Sequence, residues 1–305
     1  MADLSVNICG VDFKNPVIPA SGVFGYGREY EELFPLSKLG GIATKGTTIT
    51  KRNGNPSPRI AETPSGMLNS VGLQNPGIDK FISDELPNLM SKNTVIIANI
   101  AGSTAEECAE IAAKLDNTDV HMIELNISCP NVRQGGRAFG APCDGAASVT
   151  RLVRKATDKP LIVKLSPNVT SIADIAKSVE AEGADAVSLI NTLLGMRIDI
   201  NTRRPILRNN MGGMSGPAVL PVAVRMVWQT SGAVNIPVIG MGGISSGADA
   251  IEMMMAGASA VQIGAAIFTD PYAPVRIIEE INEFLNSHGI SDIKDIIGAV
   301  SVWRE

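Results

Sequence analysis

Residues 95–126 read VIIANIAGSTAEECAEIAAKLDNTDVHMIELN, and this stretch decides the fold class. The Val- and Ile-rich run at 95–100 is apolar on both faces, as a parallel strand covered by helices on each side must be. Thr104 and Glu107 follow at capping-box spacing, and Cys108, Ile111, Ala112 and Leu115 then fall on one helical stripe. A second apolar strand at 121–126 completes the unit. Strand, helix, strand is the signature of a parallel sheet.

The same alternation runs outward in both directions. Strands are predicted at 16–21, 41–45, 95–100, 121–126, 161–165, 186–191, 237–240 and 260–263, with helical patterns between them. Near the end, Asp270-Pro271 predicts a cap with proline at the first helical position, followed by Ile277, Ile278, Ile281, Phe284 and Leu285 at helical spacing. Eight such units without a linker predict an α/β chain forming a single (β/α)8 TIM barrel domain over 1–305, in preference to a doubly wound open sheet. Segments 46–76 and 193–216 exceed a normal βα loop, so both are expected as insertions on the C-terminal face, where barrels build their sites. A small strand at 5–11 is expected to close the opposite end.

Composition agrees with one large core. Of 305 residues, 45% are hydrophobic and 19% charged, which excludes a disordered chain, and 30 Gly with 18 Pro imply many tight turns. A net charge of −5 without a Lys/Arg block excludes an extended nucleic-acid or anionic-membrane footprint. The opening MADLSVNICGVDF lacks the basic and apolar regions of a signal peptide, so a cytoplasmic location is expected. Residues 226–248 carry no Asp, Glu, Lys or Arg, but Pro237 and five glycines rule out a membrane span there. Cys9, Cys108, Cys129 and Cys143 have no metal-ligand spacing, so neither a metal site nor an iron–sulfur cluster is expected on this chain.

Chemistry concentrates where the strands end. ATKGT presents Lys45, ANIAG presents Asn99, ELNISCPN presents Asn126, Ser128, Cys129 and Asn131, VKLSPN presents Lys164, and LINT presents Asn191 and Thr192. In a barrel these ends converge on one mouth, and lysines in strands need partners there. GMGGIS (240–245) and QIGAA (262–266) follow the last two strands, where barrels commonly bind phosphate on backbone N–H groups. MGGMSGP (211–217) adds a further backbone contact. A phosphate cradle, two lysines, several amides and a thiol suit FMN better than pyridoxal phosphate or a sugar phosphate. Cys129 is the candidate acid or base, because a thiol titrating near ~8.5 needs only a modest cationic influence to ionise. Cys108 belongs to a core stripe, and Cys9 lies in the N-terminal strand. Cys143 is the rival, in a Gly/Ala-rich segment that could reach the mouth. His121 sits at the wrong end of its strand and His288 near the C-terminus.

In this order and spacing, ATKGT, NSVGLQNPG (69–77), ANIAG, ELNISCPN, VKLSPN, LINT, GMGGIS and QIGAA resemble dihydroorotate dehydrogenase across essentially the whole chain. The resemblance implies an FMN barrel, one FMN per chain, that oxidises dihydroorotate to orotate. It implies that Cys129 is the base at carbon 5. Lys45, Asn69, Ser70, Val71, Gly72, Leu73, Asn126, Asn191 and Thr192 match substrate-contacting positions. Ser21, Lys45, Gly46, Asn99, Asn126, Lys164, Ile190, Gly216, Gly242, Gly243, Gly264 and Ala265 match FMN-contacting positions.

Residues 197–229 resemble the soluble class 1B, which passes electrons to NAD+. That implies an electron-transfer partner subunit bearing FAD and an iron–sulfur cluster, around a homodimer core within a heterotetramer. Cys129 in place of a serine base separates the chain from the membrane-associated class. Three alternatives stand beside this reading: the fumarate-using class 1A, a dihydropyrimidine dehydrogenase-like enzyme using Cys143, and a Schiff-base aldolase using Lys164.

Overall fold

Eight parallel strands carry the structure, a computed structural model that describes residues 2–128 and 142–303. They are β1 (Val17–Pro19), β2 (Gly41–Ala43), β3 (Val95–Ile100), β4 (Met122–Asn126), β5 (Leu161–Lys164), β6 (Ala186–Leu189), β7 (Val238–Met241) and β8 (Ala260–Ile263). Their order around the sheet is β1-β8-β7-β6-β5-β4-β3-β2. The two ends of that order meet where Gly40 N, just before β2, donates to Val17 O of β1 at 3.1 Å. Asn15 braces this seam, donating from Nδ2 to Lys38 O at 2.9 Å and accepting the Val17 N–H at 3.1 Å. The sheet therefore curls into a nearly closed barrel, the predicted TIM fold. β2 is shorter than the expected 41–45 because Lys45 N turns away to donate to Gly25 O at 3.0 Å.

Helices α1 (Ala105–Asp116), α2 (Cys143–Arg154), α3 (Ile172–Ala181), α4 (Leu220–Ser231), α5 (Gly247–Met255) and α6 (Ala273–Ser287) cover the outside of the barrel. Their inner stripes explain why they form where they do. On α1 the buried residues are Cys108, Ile111, Ala112 and Leu115, as the spacing predicts. Each large apolar side chain removed from water in this way contributes ~1.5–3 kcal/mol. Thr104 Oγ1 accepts the Glu107 N–H at 3.2 Å, but the Glu107 carboxylate takes the Ser103 N–H at 2.6 Å, so the expected reciprocal box is offset by one residue. α6 likewise starts later than expected. Tyr272 is its N-cap and Pro274 lies in its first turn, while Asp270 accepts the Tyr272 N–H at 3.0 Å in the preceding turn.

At the N-terminal end of the barrel, residues 5–11 do not make a single strand. Val6–Ile8 and Val11–Phe13 form a hairpin whose turn is Cys9-Gly10, both at positive φ. Cys9 therefore sits in a turn rather than a strand, and its Sγ donates to Asp185 O at 3.2 Å, just before β6.

At the opposite end, the two long insertions pair with each other. Leu193–Gly195, Gly212–Ser215, Gly66–Asn69 and Ile60–Thr63 form a four-stranded antiparallel sheet in that order. Leu68 opposes Met214 and Asn69 opposes Gly213. A Cβ at Gly213 would stand 1.9 Å from Thr192 Oγ1, so only glycine lets this sheet lie directly on the end of β6.

Candidate active site

Five strands deliver polar side chains to one buried point beneath the mouth. Glu124 of β4 has no exposed surface. Its Oε2 accepts from Asn99 Nδ2 of β3 at 2.6 Å, and its Oε1 accepts from Ser188 Oγ of β6 at 2.8 Å and from Gln262 Nε2 of β8 at 2.7 Å. Lys164, the last residue of β5, places Nζ 3.9 Å from Glu124 Oε2. Burying a carboxylate is expensive unless its lone pairs are satisfied, and here three donors satisfy them while the nearby ammonium offsets the charge. Asn99 Oδ1 and Gln262 Oε1 are buried in this layer without a hydrogen-bond partner among the described residues, so each keeps an unused acceptor.

One layer higher, the ends of β4 and β6 are laced together. Asn191 Nδ2 donates to Ser128 Oγ at 2.7 Å and to Asn126 Oδ1 at 3.4 Å. Asn126 Oδ1 also accepts the Ser128 N–H at 3.1 Å and the Ser128 hydroxyl at 2.9 Å. Thr192 N donates to Asn191 Oδ1 at 2.7 Å, fixing that amide's orientation. Asn69, in the sheet above, donates from Nδ2 to Gly213 O at 3.5 Å.

At the β7 and β8 ends, Gly242 and Gly243 have φ of +123° and +82°. A Cβ at Gly243 would stand 2.6 Å from Leu220 N, so the chain passes the start of α4 at a distance that only glycine permits. The backbone N–H groups of Gly243 and Gly264 have no acceptor among the described residues. A Cβ at Gly264 would meet nothing within 4 Å, so that face is open space. N–H groups in a concave backbone, with no competing acceptor, suit the oxygens of a phosphate. α5 follows with a full capping box, in which Ser246 Oγ accepts the Asp249 N–H at 3.2 Å and Asp249 Oδ2 accepts the Ser246 N–H at 2.9 Å.

These parts surround one cavity of about 1190 Å³, counted to its open mouth. Ser21, Lys45, Gly46, Asn69, Val71, Gly72, Leu73, Asn126, Lys164, Ile190, Asn191, Thr192, Gly216, Gly242, Gly243, Gly264 and Ala265 all line it. Two motif positions do not. Asn99 lies in the buried layer beneath, and Ser70 is fully buried with its N–H donated to Arg59 O at 2.7 Å. Sequence reasoning passed over the apolar walls, among them Ile60, Met67, Met214 and Phe268, because their spacing carries no polar signal. It also passed over Glu124 and Gln262. A charged residue within the apolar strand MIELN was the available sign.

Cys129 and Asn131 lie outside the described residues. The other thiols do not line the cavity. Burial pushes Cys108 up to about 12, and burial followed by Asp185 pushes Cys9 up to about 11. Cys143 opens α2 and packs half-buried against the core. No described helix is long and apolar enough to cross a membrane, and no three His, Cys, Asp or Glu among the described residues group as a metal site.

Comparison with known proteins places this cavity in context. A family model described as dihydroorotate dehydrogenase matches residues 3–285. The chain is 56% identical over 307 residues to the Parabacteroides distasonis protein named dihydroorotate dehydrogenase B (NAD(+)), catalytic subunit, covering 100% of both chains. The Bacteroides thetaiotaomicron protein of the same name is 55% identical over 303 residues, covering 99% of this chain and 100% of its own. The Geotalea uraniireducens protein, also of that name, is 55% identical over 299 residues, covering 98% of each.

Proposed function

The chain belongs to the dihydroorotate dehydrogenase family, and on that premise we propose how its cavity works. It oxidises dihydroorotate to orotate in pyrimidine biosynthesis, with FMN as its cofactor, and its electrons reach NAD+ through a partner subunit that holds FAD and an iron–sulfur cluster. The match favours this reading over an aldolase, a dihydropyrimidine enzyme or the fumarate-using class. FMN, when bound, takes up the hydrogen and electron pair that leave carbon 6 of the substrate.

The protein's own residues do the rest. We assign the phosphate to the Gly242, Gly243, Gly264 and Ala265 backbone, with Gly216 beside it. The cofactor's head would be held by Ser21, Lys45, Gly46, Asn126, Lys164 and Ile190, with Asn99 in the buried layer beneath them. The ammonium of Lys164, which lines the cavity, suits a ring that gains negative charge. In the same cavity, Asn69, Asn126, Asn191 and Thr192 offer amide and hydroxyl groups that would pair with a pyrimidine ring, and Lys45 would supply positive charge for a carboxylate. Val71, Gly72 and Leu73 wall the substrate in, and the Ser70 N–H ties that segment to Arg59 O. Cys129 takes the proton from carbon 5. Proton and electron pair thus leave toward different groups.

The observation that carries this assignment is the convergence of the motif positions on one cavity, across the ends of seven strands and both insertions. Assembly follows from the same reading: a single barrel domain, working in the cytoplasm, as a homodimer core within a heterotetramer. The test is the absorbance spectrum of purified protein before and after anaerobic dihydroorotate. Bleaching of bound flavin is expected, with slow NAD+ turnover until the second subunit is added. A colourless protein, or one whose flavin ignores dihydroorotate, overturns the assignment.

A further inference from the structure

Lys164 and Glu124 form the one ion pair among the described residues in which both side chains are nearly or wholly buried, at 6% and 0% exposure. Two buried charges are a costly way to fill a barrel floor, since apolar side chains of similar volume do so without desolvation. The carboxylate is anchored independently of the lysine, by Asn99, Ser188 and Gln262 at 2.6, 2.8 and 2.7 Å. All three are neutral donors, so Glu124 acts purely as an acceptor, as an ionised carboxylate does. The 3.9 Å separation from Lys164 Nζ is electrostatic and too long for a hydrogen bond. The ammonium's N–H groups are therefore not engaged by Glu124, and Lys164 lines the cavity.

We propose that Glu124 is a positioning residue acting through Lys164: its immobilised carboxylate holds the ammonium down at the cavity floor, so the ligand above meets a restrained ion pair rather than a released cation. The proposal rests on the reading that FMN occupies the cavity beside Lys164. Positive charge near a ring favours added electrons, and more so where water is excluded. Lys164 therefore raises the midpoint potential of the bound cofactor, and Glu124, by restraining it, keeps that rise in check.

The experiment measures the midpoint potential of FMN in the holoprotein by equilibration with reference dyes, alongside FMN content and thermal melting. Lys164→Gln is expected to shift the potential down and Glu124→Gln to shift it up. In the Lys164→Gln background the Glu124→Gln step should shrink, because no ammonium remains to release. Glu124→Asp keeps the charge but draws it back, so it should shift the potential up by a smaller step, and it serves if Glu124→Gln does not fold. An unchanged or lowered potential in the Glu124 variants overturns the proposal, as does an equal step in both backgrounds. Flavin that stays bound with an unchanged potential in Lys164→Gln overturns the reading of Lys164 itself, and the proposal with it.

Discussion

Asn191 Nδ2 donates to Ser128 Oγ at 2.7 Å, tying together the ends of two strands, β6 and β4, that are not neighbours in the barrel. β5 lies between them. The bond fixes the residue immediately before Cys129 and orients the amide that faces the cavity.

Replacing Asn191 with Ala should therefore damage turnover without releasing the cofactor. Leaving a buried partner unsatisfied costs about 1–3 kcal/mol, or a factor of about 5–150. Steady-state kinetics should show kcat/KM for dihydroorotate falling by that order while the protein stays yellow. Unchanged kinetics would remove Asn191 from the site.

The two cysteines nearest in sequence make opposite predictions. Cys129→Ala should retain FMN and slow its reduction by dihydroorotate by ~10²–10⁴, the usual loss on removing a general base. Cys143→Ala should reduce at the native rate, since Cys143 packs against the core and does not line the cavity. Stopped-flow absorbance of the two variants decides between them, and the reverse pattern would move the base to Cys143.

Two glycines of the cradle separate folding from cofactor binding. Gly264→Ala places a methyl group in open space, so thermal stability should be unchanged while FMN affinity falls. Gly243→Ala adds left-handed strain, about 1–2 kcal/mol, and a collision with Leu220 N, so it should lose stability as well. Melting curves of the flavin-free proteins, beside FMN titrations, check the contrast. Native FMN affinity in Gly264→Ala would place the phosphate elsewhere.

His121 predicts how stability depends on pH. Its Nδ1 accepts the Ile96 N–H at 3.0 Å, which requires the neutral ring, and burial, followed by Lys159, lowers its pKa from the ordinary 6.5. Between that lowered value and 6.5 the unfolded chain binds more protons, so stability rises with pH there and is complete above 6.5. Urea midpoints should thus fall between about pH 7.5 and about pH 5.5. His121→Asn, which keeps an acceptor but does not titrate, should flatten that fall. An equal fall in both proteins would show that His121 is not its source.

Much of this architecture was legible because it is locally encoded. All eight barrel strands lie within the predicted runs or one residue beyond them, since apolar Val/Ile stretches bounded by caps and glycines need no distant partner to be recognised. Boundaries were less legible. Lys45 leaves β2 through a bond to Gly25, and Glu107 reaches Ser103 instead of Thr104, both choices made by neighbouring backbone that periodicity does not record. The N-terminal strand became a hairpin because Cys9-Gly10 turns the chain, and a cysteine at positive φ gives no sequence signal of a turn.

The amino-acid order by itself determined the barrel and the face on which its polar strand ends gather, because strand ends in a parallel barrel all open on one side. Tertiary structure alone decided two things. One is the sheet over the mouth, where Asn69 meets Gly213 across 144 positions. The other is the Glu124 layer, where Gln262 arrives from 138 positions away to satisfy a carboxylate. Both depend on pairings between remote segments, and these form only when the closing barrel brings buried donors and acceptors within reach of each other.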